Sequence, residues 1–392
     1  MKTALLAATM AACLTGAAAG GTGTTAGDYE KRAYHAPSPR QRLELLDKAL
    51  AINPNHVPSL THRARVRLAL GDKKLALADN VRAAELVPDD PFVNGVAAFY
   101  ARELKQYDKA VRFYGRAVAI DRKNFALRAR YIDALIKALK IDDALEHANF
   151  LVRHWPNDLR SYAIRANVYE WAGRHKDAVD DLTWLIKHSP NDPIHYASRC
   201  GDYRSLGDGE RALADAQASL RLGRRTSGAY AAIGCSYEVL GQLERALRAY
   251  AKAADNDDQK EYYKIWSCII LRKLGRRQDA DKLIKEFLKN FGQDKWIAPV
   301  IKYLAGEMTE AEVIRLAKHE EPETNRQQFC EAYYYIGACY LADKDLDKAE
   351  EFMKKCLEQR VVDFYENGFA IRDLRTIKKL REEAAKKDKP PK

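Results

Sequence analysis

Nine histidines, seven cysteines and 55 acidic residues could support acid–base or metal chemistry, so their spacing decides whether they do. His35, His56, His62, His147, His154, His175, His188, His195 and His319 never form the H-E-x-x-H pattern that sets two imidazoles on one helix face around zinc. No two cysteines make a C-x-x-C pair, which argues against a zinc site. There is no G-x-S-x-G elbow, no phosphate loop and no dinucleotide fingerprint after a strand; Gly20-Gly21-Thr22-Gly23 has no strand before it. Asp180-Asp181 and Asp257-Asp258 fall in a helix and a turn, where carboxylates ordinarily solvate a face or cap an end. The chain therefore offers no catalytic residue, no cofactor site and no metal site, and a binding role is expected instead.

The elements that carry these residues show themselves by repetition. Ala76, Ala110, Ala144, Ala178, Ala212, Ala246 and Ala280 are each 34 residues apart. Gly71, Gly173, Gly207, Gly241 and Gly275 keep multiples of the same period, as do Tyr169, Tyr203 and Tyr237, and Pro54, Pro88, Pro156 and Pro190. Fixed offsets between the ladders mean one copied unit of two helices. The alanines open the second helix, where close crossing admits only a small side chain. The glycines end the first helix in the left-handed region, and the prolines end the second. The tyrosines are packing residues of the first helix with an exposed hydroxyl. Ala64, Ala98, Ile132, Ala166, Cys200, Gly234 and Cys268 mark a further packing site, small in all units but one, so Cys200 and Cys268 read as buried packing thiols, too far apart to pair.

This phase resembles the tetratricopeptide-repeat family. The clearest unit is Ser227 to Lys260, SGAYAAIGCSYEVLGQLERALRAYAKAADNDDQK, with Gly234, Tyr237, Leu240, Gly241, Ala246, Tyr250 and Ala253 in family positions. Seven contiguous units run from Val57 to Asp294, about three fifths of the chain. The resemblance implies an all-α fold, a right-handed superhelical solenoid of helix-turn-helix units, with a concave groove lined by first helices that takes a partner peptide or helix. Taken by phase, the groove-facing side chains are Arg65, Phe99, Arg102, Asp133, Lys137, Arg160, Asn167, Glu170, Trp171, Arg204, Glu238, Tyr262 and Arg272. Arg102, Glu170, Arg204, Glu238 and Arg272 occupy one site and alternate in charge, with Ile136 interrupting. Such a ladder either accepts a mixed-charge peptide or consists of inter-repeat ion pairs that solubilise the face. Some members clamp a C-terminal carboxylate with a lysine and an asparagine on one first helix; here Ala163 stands where the lysine before Asn167 is needed.

Outside the strict phase, residues 20–37 read as a flexible Gly/Thr linker. Residues 38–56 read as a half repeat opened by the capping box Ser38-Pro39-Arg40-Gln41, so that the array spans 38–294. Residues 295–328 read as a divergent helical pair and 329–380 as a last unit with its capping helix. Ala349 lies 69 residues after Ala280, one more than two periods, so one residue is inserted. From Ile371 to Lys392 nine basic residues face four acidic ones, a net +5 of the chain's +11. This tail, 381–392, has no interleaved aromatics for stacking bases, so nucleic acid is not the expected partner.

Residues 1–19 read as an export signal: Lys2, an alanine-rich apolar run, then Ala17-Ala18-Ala19 before Gly20. Ala12-Cys13 also allows a lipoprotein signal with a lipid anchor on Cys13. No other apolar run reaches the roughly 18 residues of a membrane span. The stretch Cys330 to Leu374, with CEAYYYIG and DFYENGFAIRDL, loosely resembles the ends of exported bacterial tetratricopeptide-repeat proteins, including adaptor lipoproteins. The resemblance implies a protein-binding adaptor of the cell envelope, periplasmic or secreted. The alternative is a cytoplasmic scaffold or co-chaperone-like assembly factor, which free thiols favour.

Overall fold

The computed structural model describes residues 24–223, 227–255, 260–289, 291–292 and 295–387. The leader and Cys13 lie outside these residues. The described elements are all helices, and the chain divides into two compact units, one ending at Lys140 and one beginning at Ile141. The first unit holds α1 (Ala26–His35), α2 (Pro39–Ile52), α3 (Val57–Ala69), α4 (Lys73–Leu86), α5 (Pro91–Glu103), α6 (Tyr107–Ile120) and α7 (Phe125–Lys137). The second opens with α8 (Ile141–His154), α9 (Leu159–Trp171), α10 (His175–His188), α11 (Pro193–Leu206), α12 (Gly209–Arg221), α13 (Ser227–Val239), α14 (Leu243–Ala254), α15 (Lys260–Lys273) and α16 (Arg277–Lys289). It closes with α17 (Ala298–Leu304), α18 (Glu310–Leu316), α19 (Pro322–Ala342), α20 (Leu346–Glu358) and α21 (Tyr365–Lys387). Within each unit successive helices pack on one another as antiparallel hairpins.

Each ladder has its physical counterpart. All seven phased alanines are fully buried. Gly234 cannot be larger: a Cβ there would meet Tyr250 Cε1 at 2.5 Å. A ladder not read from the sequence starts the first helices. Asp90, Asn124, Asp158 and Asp192 cap α5, α7, α9 and α11 by accepting first-turn N–H groups.

The glycine ladder is left-handed throughout, with φ of 89° at Gly71, 68° at Gly173, 82° at Gly207, 71° at Gly241 and 76° at Gly275. The two missing rungs are filled by Lys105 and Leu139, which are forced to φ of 56° and 59°. A side chain in that region costs about 1–2 kcal/mol, part of which glycine gives back as lost backbone entropy. Leu139→Gly is therefore expected to raise stability by about 0.5–1 kcal/mol, read as a higher urea midpoint. Lys344, 69 residues after Gly275, has φ 65°, so the turn keeps its form after the inserted residue.

Hairpins are also tied by a repeated ionic clamp. Arg63 binds Asp79, Arg165 binds Asp181 and Arg199 binds Asp215 through two N–H groups each, at 2.6–2.9 Å. The third donor of each arginine reaches the preceding second helix, at Asp47, Asn149 and Thr183. The carboxylates are buried, so each clamp is a two-pronged pair shielded from water.

Three boundaries differ from the sequence reading. The expected linker 20–37 contains α1, and with α2 it makes a full hairpin rather than a half repeat. Thr25 accepts from the Asp28 N–H while Asp28 reaches back to the Thr25 N–H, a capping box inside a Gly/Thr-rich context. α19 starts at Pro322 rather than near 329, because Glu321 accepts the N–H groups of Glu323 and Thr324. α21 runs to Lys387, so much of the basic tail is helical. In the divergent stretch, α17 and α18 are seven residues each, and Thr309 and Glu312 form the expected box. No described helix is long and apolar enough to cross a membrane.

Candidate partner-binding groove

Five of the predicted groove residues belong to the first unit. Arg102 on α5 donates to Asp133 on α7 at 2.8 Å and to Glu103 at 2.8 Å, with its guanidinium 5.7 Å from the Phe99 ring. Lys137 stands one turn beyond Asp133 and is half-buried. Arg65 is exposed, 5.6 Å from the Tyr34 ring. Arg102, Asp133 and the half-buried Phe99 thus form one cluster.

The other eight are in the second unit. Arg160 folds back on the helix cap Asp158 at 2.6 Å and is exposed at the start of α9. Asn167 is exposed, and Trp171 is half-buried. Glu238, Tyr262 and Arg272 are not open to a groove. The Glu238 side chain is 5% exposed, 2.8 Å from Arg372 and 3.8 Å from Lys273, and it accepts the Tyr250 hydroxyl proton. Tyr262 donates to Glu331 at 2.9 Å, and Arg272 donates to the Leu304 carbonyl at 2.6 Å and to Asp281 at 3.4 Å. The alternating charges do not pair along the ladder. Glu238 is met instead by Arg372, and Arg272 by the Leu304 carbonyl, both from the C-terminal elements.

Glu238 is covered by α21, which lies against the first helices α11, α13, α15 and α19. Asp373 pairs with Lys273 at 3.2 Å and with Arg372 at 2.8 Å. Burial opposes its charge, but these two cations hold the Asp373 carboxyl below the usual range. Phe369 meets Trp266 edge-on at 5.1 Å and Tyr334 at 5.4 Å. Trp266 donates to the Tyr335 hydroxyl at 2.9 Å, which donates to Glu366 at 2.5 Å. First-helix aromatics at Trp266, Tyr334 and Tyr335 need an apolar cover, and α21 supplies it.

Where α21 begins, the groove is not filled. A cavity of about 370 Å³ remains between α9, α10, α11, α13 and residues 362–372. Two predicted residues, Glu170 and Arg204, line it. So do Asp202 and His175, whose Nδ1 and Oδ1 are 2.9 Å apart. Asp202 was missed by the sequence reading, yet it left a signal. Its register carries Val66, Tyr100, Ala134, Val168, Ser236 and Ile270 in the other units, so a carboxylate there is out of place. Burial first, then the charge of Asp202, pushes the Glu170 carboxyl up to about 8, so at neutral pH Glu170 keeps its proton and shares it with Asp202 in a hydrogen bond. Burial and the nearby Glu366 likewise push Glu331 up to about 8.

These acids give the fold an inverted pH dependence. A carboxyl whose folded pKa lies above its ordinary 4.5 stabilises the fold fully below 4.5, and that stability is lost as pH rises towards about 8. Stability of the second unit is expected to fall between pH 5 and pH 8 by more than about 1.4 kcal/mol, the value of one pKa unit. Glu170→Gln, which keeps a donor towards Asp202, should flatten part of that slope in urea titrations.

The family model described as the tetratricopeptide repeat matches residues 96–124 and 331–360. Those stretches fall on the α5–α6 and α19–α20 hairpins; the first stands on the 34-residue ladders and the second is one residue out of phase with them. The chain carries tetratricopeptide repeats. Solved structures similar to it include a tetratricopeptide repeat protein from Parabacteroides merdae, 19% identical over 62% of this chain and 97% of that one, with a TM-score of 0.46. YrrB, described as a TPR protein with an unusual peptide-binding site, is 17% identical over 48% of this chain and 96% of its own, with a TM-score of 0.39. MamA is 20% identical over 44% of this chain and 94% of its own, with a TM-score of 0.39. In this repeat-bearing chain the second hairpin array is capped from within: the helix after the last repeat turns back over the first helices. Among the described residues no group of three or more His, Cys, Asp and Glu side chains is placed to hold a metal ion.

Proposed function

We propose that the protein is a non-catalytic scaffold that holds a partner peptide or helix on its first-helix surfaces. The carrying observation is α21 itself. The chain seats a helix on α11, α13, α15 and α19 through a mixture of aromatic contacts and ion pairs, which supports the view that these surfaces suit a helical ligand. In the first unit the corresponding face keeps Arg65, Phe99, Arg102, Asp133 and Lys137 at or near the surface, and we assign the partner to it. Aromatic and arginine side chains of this kind carry most interface energy. The test is affinity capture with quantitative mass spectrometry, comparing the wild type with a Phe99→Ala, Arg102→Glu double variant. Partners lost only from the variant support the assignment. The same partner list from both would refute it.

We further propose export to the cell envelope, supported by the Lys2, alanine-run and Ala17-Ala18-Ala19 leader and by the C-terminal resemblance. A mature chain beginning near Gly20, or a lipid on Cys13, is the expected result of mass spectrometry. An intact Met1 in the soluble cell fraction would favour the cytoplasmic scaffold. One observation leans that way: six buried cysteines are unbonded, including Cys330 and Cys356 with sulfurs 3.4 Å apart.

A further inference from the structure

The cavity at the start of α21 holds polar groups that the fold leaves unanswered. Arg204 stacks 5.5 Å from the Tyr365 ring, its Nε is buried without a hydrogen bond, and among the described residues no carboxylate pairs with it. Asn367, only 7% exposed, lines the same space, and no hydrogen bond reaches its amide among the described residues. Asp202, 2% exposed, has one oxygen on His175 while its Oδ2 is buried without a donor other than a proton on Glu170. Leaving an arginine partly buried without a counter-charge, and one oxygen of a buried carboxylate without a fixed donor, destabilises a fold unless something pairs them. The volume, about 370 Å³, is that of a small-molecule site.

We infer that this cavity binds a free α-amino acid, with the ligand carboxylate on Arg204 and Asn367 and its ammonium on Asp202 and Glu170. The charge pattern selects the class. A simple anion would answer Arg204 and leave the acids facing one another. A simple cation would do the reverse. The end of a peptide chain brings one charge, whereas a free amino acid brings both on one small body. The ligand ammonium takes the place of the proton shared by Glu170 and Asp202, and that proton leaves to solvent. The site is built from residues of the second unit alone, whereas the partner face is assigned to the first, so this inference stands or falls separately from that one.

The experiment is a thermal-shift screen of the full chain against the common α-amino acids, one at a time, at millimolar concentration. Calorimetry follows on the best binder, on its N-acetyl derivative and on its carboxamide. The expected result is one chemically related group of binders, with each blocked derivative at least about tenfold weaker, or about 1.4 kcal/mol. Arg204→Met and Asn367→Leu should each weaken binding by a similar factor. The derivative arms use the unaltered chain, so they decide the matter even where a variant fails to fold. No shift with any amino acid overturns the inference. Equal binding of the N-acetyl form would make this an anion site, and equal binding of the carboxamide a cation site; either result also overturns it.

Discussion

Phe369→Ala is expected to destabilise the second unit by about 3–5 kcal/mol, the usual cost of emptying an aromatic core position. Phe369 is buried on α21 against the rings of Trp266, Tyr334 and Tyr365, with the Arg372 guanidinium 4.8 Å from its own ring. The alanine would leave a cavity beside Trp266 and loosen Arg372 from its place between Glu238 and Asp373. A helix resting loosely on a groove would give a change within about 0.5 kcal/mol, as for other surface positions. Urea unfolding followed by tryptophan fluorescence separates the outcomes, because Trp266 sits at the site of the change. A small effect would mean that α21 can leave the groove and that a partner helix could replace it.

Asp181→Leu should cost about 3–5 kcal/mol for a different reason. Asp181 is buried and receives two N–H groups of Arg165, at 2.8 and 2.6 Å. Removing it leaves a largely buried guanidinium held by the Asn149 amide oxygen at 3.2 Å. The Arg165 guanidinium also stacks 5.6 Å from the Tyr169 ring, so its position is fixed by more than the pair. The double variant Arg165→Met, Asp181→Leu should recover much of the loss, because apolar side chains of similar volume fill such sites well. If the single variant is as stable as the wild type, the clamp is not what ties the two helices of this hairpin together.

The sequence was most legible where each unit speaks for itself. The alanine, glycine and small-residue ladders located every hairpin from Val57 to Lys289, because close helix crossing and left-handed turns allow few residue types. Even the Arg–Asp clamps were visible as ladders 16 residues apart, had both ladders been read together. α1 was hidden because the Gly/Thr composition around it outweighed a four-residue capping box. The destination of α21 was not legible at all. Asp373 meets Lys273 across 100 residues, and no period links them. Such distant contacts change the meaning of Glu238, Tyr262 and Arg272, which by phase alone face an open groove but meet Arg372, Glu331 and the Leu304 carbonyl. Glu170 and Arg204 kept their predicted register, but their neighbours Asp202 and Asn367 come from an off-pattern rung and from α21.

An array in which each hairpin touches only the next unfolds like a row, end first, with a stability that adds rung by rung. The first unit is of that kind: its ties, such as Arg102 to Asp133, reach no further than the neighbouring repeat. In the second unit α21 is a crossbeam. It bolts Glu238, Lys273 and Tyr334 to one short stretch of helix, so those rungs cannot be released singly. Amide hydrogen exchange should therefore show graded protection through α1–α6 and one common opening free energy for α13, α15, α19 and the first half of α21. The gain is rigidity on one side of the cavity, whose α13 and α21 walls belong to a block that opens all at once or not at all.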